Sequence, residues 1–155
     1  MSYRLRAATV ADAPTIARHR VAMFRDMGLT DPALDTVETV TRVRLEGELA
    51  SGTYVGWIAE SDGQPVAGAG VMFHPYHPTV TNLRGQPTAY ILNVYTEPAH
   101  RRRGLARLLV AEILAWCVAH DIPRASLHAS EAGRSVYEQL GFVSTNELRV
   151  DLAKE

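Results

Sequence analysis

The sequence predicts an α/β fold, with a mixed sheet and helices packed against it, and three features carry that prediction. Segments with the period of a strand alternate with segments with the period of a helix. Residues 88–96, TAYILNVYT, are almost continuously apolar, as befits a strand in the middle of a sheet. A basic loop containing one glycine, RRRGLA at 101–106, then joins that strand to a long helix.

The elements follow in order. Residues 3–8, YRLRAA, alternate as a strand does. Thr9 with Asp12 three positions on has the form of a capping box, so a helix is predicted to start near 9–12 with Pro14 in its first turn. Ile16, Val21 and Phe24 mark its buried stripe and Gly28 its stop. Asp35 with Glu38 repeats the capping signal and opens a second helix, which runs to about Ala50 before SG breaks it. Residues 53–61 and 65–74 are predicted strands, joined through DGQ as a hairpin. Residues 75–87, PYHPTVTNLRGQP, form a loop long enough to be functional. After the strand at 88–96, a helix from about Arg102 to His120 is expected to place Leu105, Leu108, Leu109, Ile113 and Trp116 on one face. RASLHAS at 124–130 reads as a short strand and EAGRSVYEQL at 131–140 as a short helix, ended by Gly141. FVSTNELRVDL closes the chain as a final strand or pair of strands. The predicted order is β-α-α-β-β-β-α-β-α-β, one domain over residues 1–155.

Composition narrows the function. The 155 residues, 46% hydrophobic and 21% charged, suffice for one domain with a proper core and argue against disorder. A net charge of -1 gives no general attraction to nucleic acid or acidic membrane, so any basic function is local. The single cysteine, Cys117, excludes an internal disulfide, and its place in the long helix marks it as core rather than nucleophile. A cytoplasmic setting is expected from that cysteine usage. The N-terminus, MSYRLRAATVADA, lacks the continuous apolar stretch of a signal peptide, and no segment has the length needed to cross a bilayer.

The basic loop is the sharpest chemical signal. Gly104 lets the backbone come close to a ligand, and the small Ala106 keeps the first helical turn open. Free N–H groups at the helix start, together with the helix dipole, favour negative charge there. Arginines surround this phosphate seat. The bland alternative is a solvated basic turn. The strand before the loop, Gly104 and the helix after it favour phosphate.

RRRGLA matches the R/Q-x-x-G-x-G/A loop of the GCN5-related N-acetyltransferases, and SEAGRSVYEQLGF at 130–142 resembles the second signature of that superfamily, N-x-x-A-x-x-x-Y-E-x-L-G-F. Both motifs stand in the right order, at the right spacing and in the right elements. The resemblance implies an acyl-CoA N-acyltransferase fold, with a central, mostly antiparallel mixed sheet, splayed fourth and fifth strands, and about four flanking helices. It implies acetyl-CoA as co-substrate. The pyrophosphate would sit on backbone amides from Arg102 through Arg103, Gly104, Leu105 and Ala106 to Arg107, with Arg101 opening the motif. The pantetheine arm would pair with backbone groups between Leu92 and Thr96, Tyr95 included, and the Val94 amide would steady the thioester oxygen as it gains charge. Tyr137 would be the general acid, since a phenol with an ordinary pKa of about 10 carries its proton at neutral pH. Without the signature around it, Tyr137 would read as a packing tyrosine. Ser130 replaces the asparagine of many relatives and can still bond the pantetheine arm, while Gly133 replaces an alanine.

The general base is the gap in the pattern. Some relatives carry a glutamate on the fourth or fifth strand, but neither 88–96 nor 124–129 holds an Asp or Glu. Tyr90 and His128 are candidate substitutes, and a chain of waters is another route. The ordinary pKa of histidine, about 6.5, suits the task, although a lone histidine on a short strand is more often structural. Glu97 is expected to face the loop. His74 and His77, in FHPYHP, lack a third ligand, so no metal is expected. The 75–87 loop, with Tyr76 and Arg84, is expected to line the acceptor pocket. Arg18, His19, Arg20 and Arg25 lie where relatives build a substrate wall, and for most of these charges a solvated face is the simpler reading.

The expected activity is transfer of an acetyl group from acetyl-CoA to a primary amine of a small molecule or protein. Attack would be direct, with no covalent enzyme intermediate and no metal. The alternative is a noncatalytic acyl-CoA-binding regulatory module, which the missing carboxylate supports. Nucleic acid is disfavoured as a partner by the net charge and by the lack of an aromatic platform beside the arginines. No membrane partner is expected, and a homodimer is common in such families.

Overall fold

A computed structural model describes residues 2–153. Strands β1 (Arg4–Ala7), β2 (Tyr54–Ser61), β3 (Gln64–His74), β4 (Thr88–Thr96) and β5 (Ala125–Ser126) form one sheet in the order β1-β2-β3-β4-β5. Neighbours from β1 to β4 are antiparallel, and β5 runs parallel to β4. Four helices flank the sheet: α1 (Ala13–Asp26), α2 (Leu34–Ser51), α3 (Leu105–Ala119) and α4 (Arg134–Gln139). Among the described residues no helix is long and apolar enough to cross a membrane.

Local chemistry explains where the elements begin. The Asp12 carboxylate accepts the Thr9 amide at 2.7 Å, the backward half of the predicted capping box. Arg6 grips the same carboxylate with two bonds of 2.8 Å, tying β1 to the start of α1. Helix α2 begins one residue before the predicted cap: Asp31 accepts the Ala33 amide at 2.8 Å, Pro32 presets the turn, and Asp35 lies inside the first turn. The β2–β3 turn has Asp62 and Gly63 at φ 51° and 75°, the two positive values a tight hairpin requires.

Two cores sandwich the sheet. Leu105, Leu109, Val110, Ile113 and Cys117 of α3 bury against Trp57, Ala67, Val71, Ala89 and Ile91. Ala13, Ile16 and Ala17 of α1 and Leu45 of α2 cover Tyr54 and Ile58 on the other face. Two expectations need correction. Helix α3 starts at Leu105 rather than Arg102, because Arg102 and Gly104 adopt positive φ. Leu108 is 50% exposed, since at 100° per residue it falls about 120° from the centre of the 105–109–113–117 stripe. Cys117 is buried as expected, and burial pushes its thiol pKa up.

The third correction concerns the C-terminus. Residues 142–153 form no strand among the described residues, although Leu148, Val150 and Leu152 alternate as a strand face does. A strand needs partners for its backbone as well as a periodic sequence, and the sheet ends at β5.

Candidate active site

Strand β4 organises the site. Gly68 stands opposite Tyr95 and Gly70 opposite Leu92, so two steps on β3 face three on β4. The extra residue makes a β-bulge. Asn93 occupies it with φ 57°, and asparagine is among the few non-glycine residues that adopt this conformation readily. The bulge switches the faces of the strand. Before it, Ile91 packs on the α3 core and Leu92 on the α1–α2 core. After it, Val94 joins the α3 core, and Tyr95 turns to α1, where its ring lies 4.9 Å from that of His19.

A buried polar network holds the bulge. Asn93 is 5% exposed; its Oδ1 accepts from Arg20 at 2.7 Å, and its Nδ2 donates to the Tyr54 hydroxyl at 3.3 Å. Burial pushes the Tyr54 pKa up to about 12, so the phenol stays neutral. Gly70 makes room for that phenol: a Cβ there would lie 1.9 Å from the Tyr54 hydroxyl oxygen. The sequence reading missed Asn93 and Tyr54. An asparagine inside YILNVYT was the available signal, because a polar, αL-tolerant residue in an apolar strand marks a break in the ladder.

Beside the bulge the sheet opens. β5 pairs only with Ala89 and Tyr90, so among the described residues β4 has no strand neighbour on that side from Ile91 to Thr96. The basic loop lies at the C-terminal end of this gap. Arg102 at φ 62° and Gly104 at φ 78° curl its backbone, and the first α3 bond recorded to the loop runs from the Leu108 amide to the Gly104 carbonyl at 3.0 Å. The amides of Leu105, Ala106 and Arg107 therefore precede the helical ladder.

The arginines divide into two kinds. Arg101 donates Nε to the Thr96 carbonyl at 2.9 Å and an Nη to Asp26 at 2.5 Å, and lies 5.5 Å from the Tyr95 ring centre. It fastens the loop to β4 and α1. Arg107 bonds Gln139 and so docks α4 on α3. Arg102 and Arg103 are exposed and have no protein partner among the described residues.

Helix α4 carries Tyr137, half-buried on the α3-side core and edge-on to Phe142 with ring centres 5.9 Å apart. Burial raises its pKa. Its hydroxyl has no protein partner among the described residues. The Ser130 Oγ accepts the Gly133 amide at 3.2 Å, which starts the turn into α4 and leaves the hydroxyl proton to donate elsewhere. A Cβ on Gly133 would stand 3.1 Å from the Tyr137 ring, so an alanine there would ask the ring to shift by a few tenths of an ångström.

On the opposite face, the Tyr90 hydroxyl and His128 Nδ1 are 2.5 Å apart. Tyr90 shares the side of Leu92 by the two-residue repeat, so it faces away from Tyr137. Burial raises its pKa as well, and the charges of Arg20, Glu147 and Arg149 act on it. The His74 ring lies 5.8 Å from that of Tyr90.

Other expected residues fall elsewhere. Glu97 turns back to α1, with its Oε1 3.2 Å from His19 Nε2 and 3.6 Å from Arg18. His19 is 2% exposed, a buried residue rather than part of a substrate wall, and burial lowers its pKa. The 75–87 loop packs toward Asp121 and Pro123, with Arg84 3.6 Å from Asp121, at the end of β4 remote from the basic loop. Among the described residues no three His, Cys, Asp or Glu side chains gather as metal ligands.

The bulged strand, the open gap and the curled loop at a helix start define an acyl-CoA-transferase architecture, and comparison with known proteins agrees. The acetyltransferase (GNAT) family model matches residues 21–142, and the chain belongs to that family. A GCN5-related N-acetyltransferase from Ralstonia eutropha JMP134 superposes with a TM-score of 0.90 at 33% identity, over 99% of this chain and 100% of that one. A predicted acetyltransferase from Clostridium acetobutylicum, solved with acetyl-CoA, gives 0.88 at 30% identity, over 97% of each chain. The N-acetyltransferase Eis of Mycobacterium tuberculosis is 41% identical over 68 residues, 42% of this chain, and the match spans only 16% of its length.

Proposed function

We propose that this protein transfers the acetyl group of acetyl-CoA to a primary amine by direct attack. The observation that carries the reading is the gap beside β4, which opens after Tyr90 and ends at the curled loop before α3. It fits a long, phosphate-ended thiol ester. The amides from Arg102 to Arg107 hold the pyrophosphate, and the unpaired side chains of Arg102 and Arg103 add charge. Unpaired backbone groups between Leu92 and Thr96 hold the pantetheine arm. Similarity to a chain solved with acetyl-CoA supports the same co-substrate.

Acetyl-CoA supplies an activated thioester carbonyl. The Val94 amide, just past the bulge, steadies its oxygen as negative charge develops. Tyr90 relays the proton of the attacking amine to His128 Nδ1 across their short bond, in place of a carboxylate. As the C–N bond forms and the C–S bond breaks, Tyr137 protonates the departing sulfur. Base and acid lie on opposite faces of β4, so the amine approaches from the α1–α2 face and CoA from the α3–α4 face. The lack of any Asp or Glu in 88–96 and 124–129 supports a second reading, a binding module without turnover.

Thermal unfolding with acetyl-CoA, CoA, ATP and a short RNA tests the site. Stabilisation by both CoA species and little by ATP or RNA is the expected outcome, about 3 kcal/mol at a hundredfold excess over Kd. No shift with either CoA species would overturn the reading. A screen of amines for CoA release then separates enzyme from binding module.

A further inference from the structure

Arg20 is a cation without a counter-ion. Its neighbours on α1, Arg18 and Arg25, each pair with a carboxylate, Glu97 at 3.6 Å and Asp35 at 3.5 Å. Arg20 forms no ion pair among the described residues, and its hydrogen bond from Nη1 goes to the neutral amide of Asn93 at 2.7 Å. The side chain is half-buried, and a charge held away from water without a partner is costly. The guanidinium is also fixed in place. Phe24 lies against its face, with the ring centre 4.9 Å from Cζ, while Asn93 holds one Nη. Nε and the second Nη have no protein partner among the described residues. They form a planar edge with N–H groups side by side, the shape that receives a carboxylate through two bonds.

Position decides what that edge can meet. Asn93 immediately precedes Val94, whose amide is the proposed seat of the thioester oxygen, and Arg20 reaches Asn93 from α1, on the face from which the amine approaches. The charge of Arg20 acts on Tyr54 and on Tyr90, phenols of that face. Of the other charges that act on them, Glu48 pairs with Arg44 at 3.4 Å and Arg149 with Asp151 at 3.5 Å, and Glu147 is exposed. One residue along a strand is about 3.3 Å, so an anion on Arg20 and an amine at the thioester belong to one compact molecule. An amine carrying further positive charge meets a like charge there instead.

We propose that the acceptor is an amino acid, a small primary amine bearing its own carboxylate, and that the free edge of Arg20 receives that carboxylate beside the bulge. The inference rests on the acetyl-transfer reading for the place of the amine. Binding of the carboxylate itself does not require turnover.

Glycine, L-alanine, L-methionine, L-phenylalanine and L-glutamate, each beside its α-carboxamide, test the proposal in two assays: CoA release from acetyl-CoA, and thermal stabilisation in the presence of CoA. For at least one pair the acid should have a kcat/KM at least about tenfold above that of the amide, as a charge-assisted bond gives. Arg20→Gln should shrink that ratio to within about threefold, whereas a purely structural Arg20 would lower both substrates together and keep the ratio. Arg20→Lys, which keeps the charge and loses the fork, should fall between the two. The same acid should raise the Tm of the wild type and not that of Arg20→Gln. Turnover of amines with no preference for the acid, or a preference that survives Arg20→Gln, would overturn the proposal and leave acetyl transfer standing. Stabilisation by an acid, lost in Arg20→Gln, with no turnover of any pair would support the carboxylate site and favour the binding module over the enzyme. Neither turnover nor stabilisation with any acid would overturn the proposal.

Discussion

Gly70→Ala is a small change with a large expected effect. Its Cβ would stand 1.9 Å from the Tyr54 hydroxyl oxygen and 2.1 Å from Cζ, so the phenol must move. Tyr54 is 2% exposed, between the sheet and α1, with little room to yield. Forced repacking in a dense core costs about 1–3 kcal/mol. Moving the phenol also breaks the bond from Asn93, worth about 1 kcal/mol. The sum, about 2–4 kcal/mol, should lower Tm by about 5–15 °C in a domain of this size. Gly70 faces Leu92 beside the bulge, so the stabilisation by acetyl-CoA should shrink as well. Gly47→Ala is the control: in the exposed middle of α2 with nothing within 4 Å, it should stabilise by about 0.5–1 kcal/mol. Urea and thermal unfolding give both values. Tyr54→Leu in the Gly70→Ala background should recover at least about 1 kcal/mol relative to additivity. A loss below about 0.5 kcal/mol for Gly70→Ala, or strict additivity in the pair, would refute the reasoning.

Tyr137→Phe removes the proposed proton donor and little packing. Turnover should fall by about 10²-fold or more while the CoA-induced rise in Tm is kept, and equal loss of both would assign Tyr137 to binding. His19 gives the fold a pH response. Burial holds its folded pKa below the ordinary 6.5, so the unfolded chain takes the proton first as pH falls. Its contribution is complete above about pH 6.5 and declines below it, by at most about 1.4 kcal/mol per pH unit. Urea midpoints from pH 8 to 5 should show that decline, and His19→Gln should flatten it; an unaltered slope would assign the decline to other groups.

Periodicity and turn chemistry carried most of the fold. The Asp62–Gly63 hairpin, the capping carboxylate of Asp12 and the apolar run of β4 are local properties, set by backbone sterics and neighbouring residues, and they were legible in order. Errors arose where the decision was not local. Leu108 is as apolar as Leu109, but the direction of the sheet decides which of them is buried. Asp35 has the composition of a cap, but α2 starts one residue earlier, at Leu34, after a turn in which Asp31 accepts the Ala33 amide.

The sequence by itself determined the family signatures and the tyrosine of α4, because each depends on a short run of residues. Only the tertiary structure decided how β4 is bulged, that Arg20, Asn93 and Tyr54 form one network, and that Tyr90 meets His128. Those partners are 38 to 73 positions apart in the chain. Such contacts arise from sheet register and from packing two helices over one face, which no local pattern encodes.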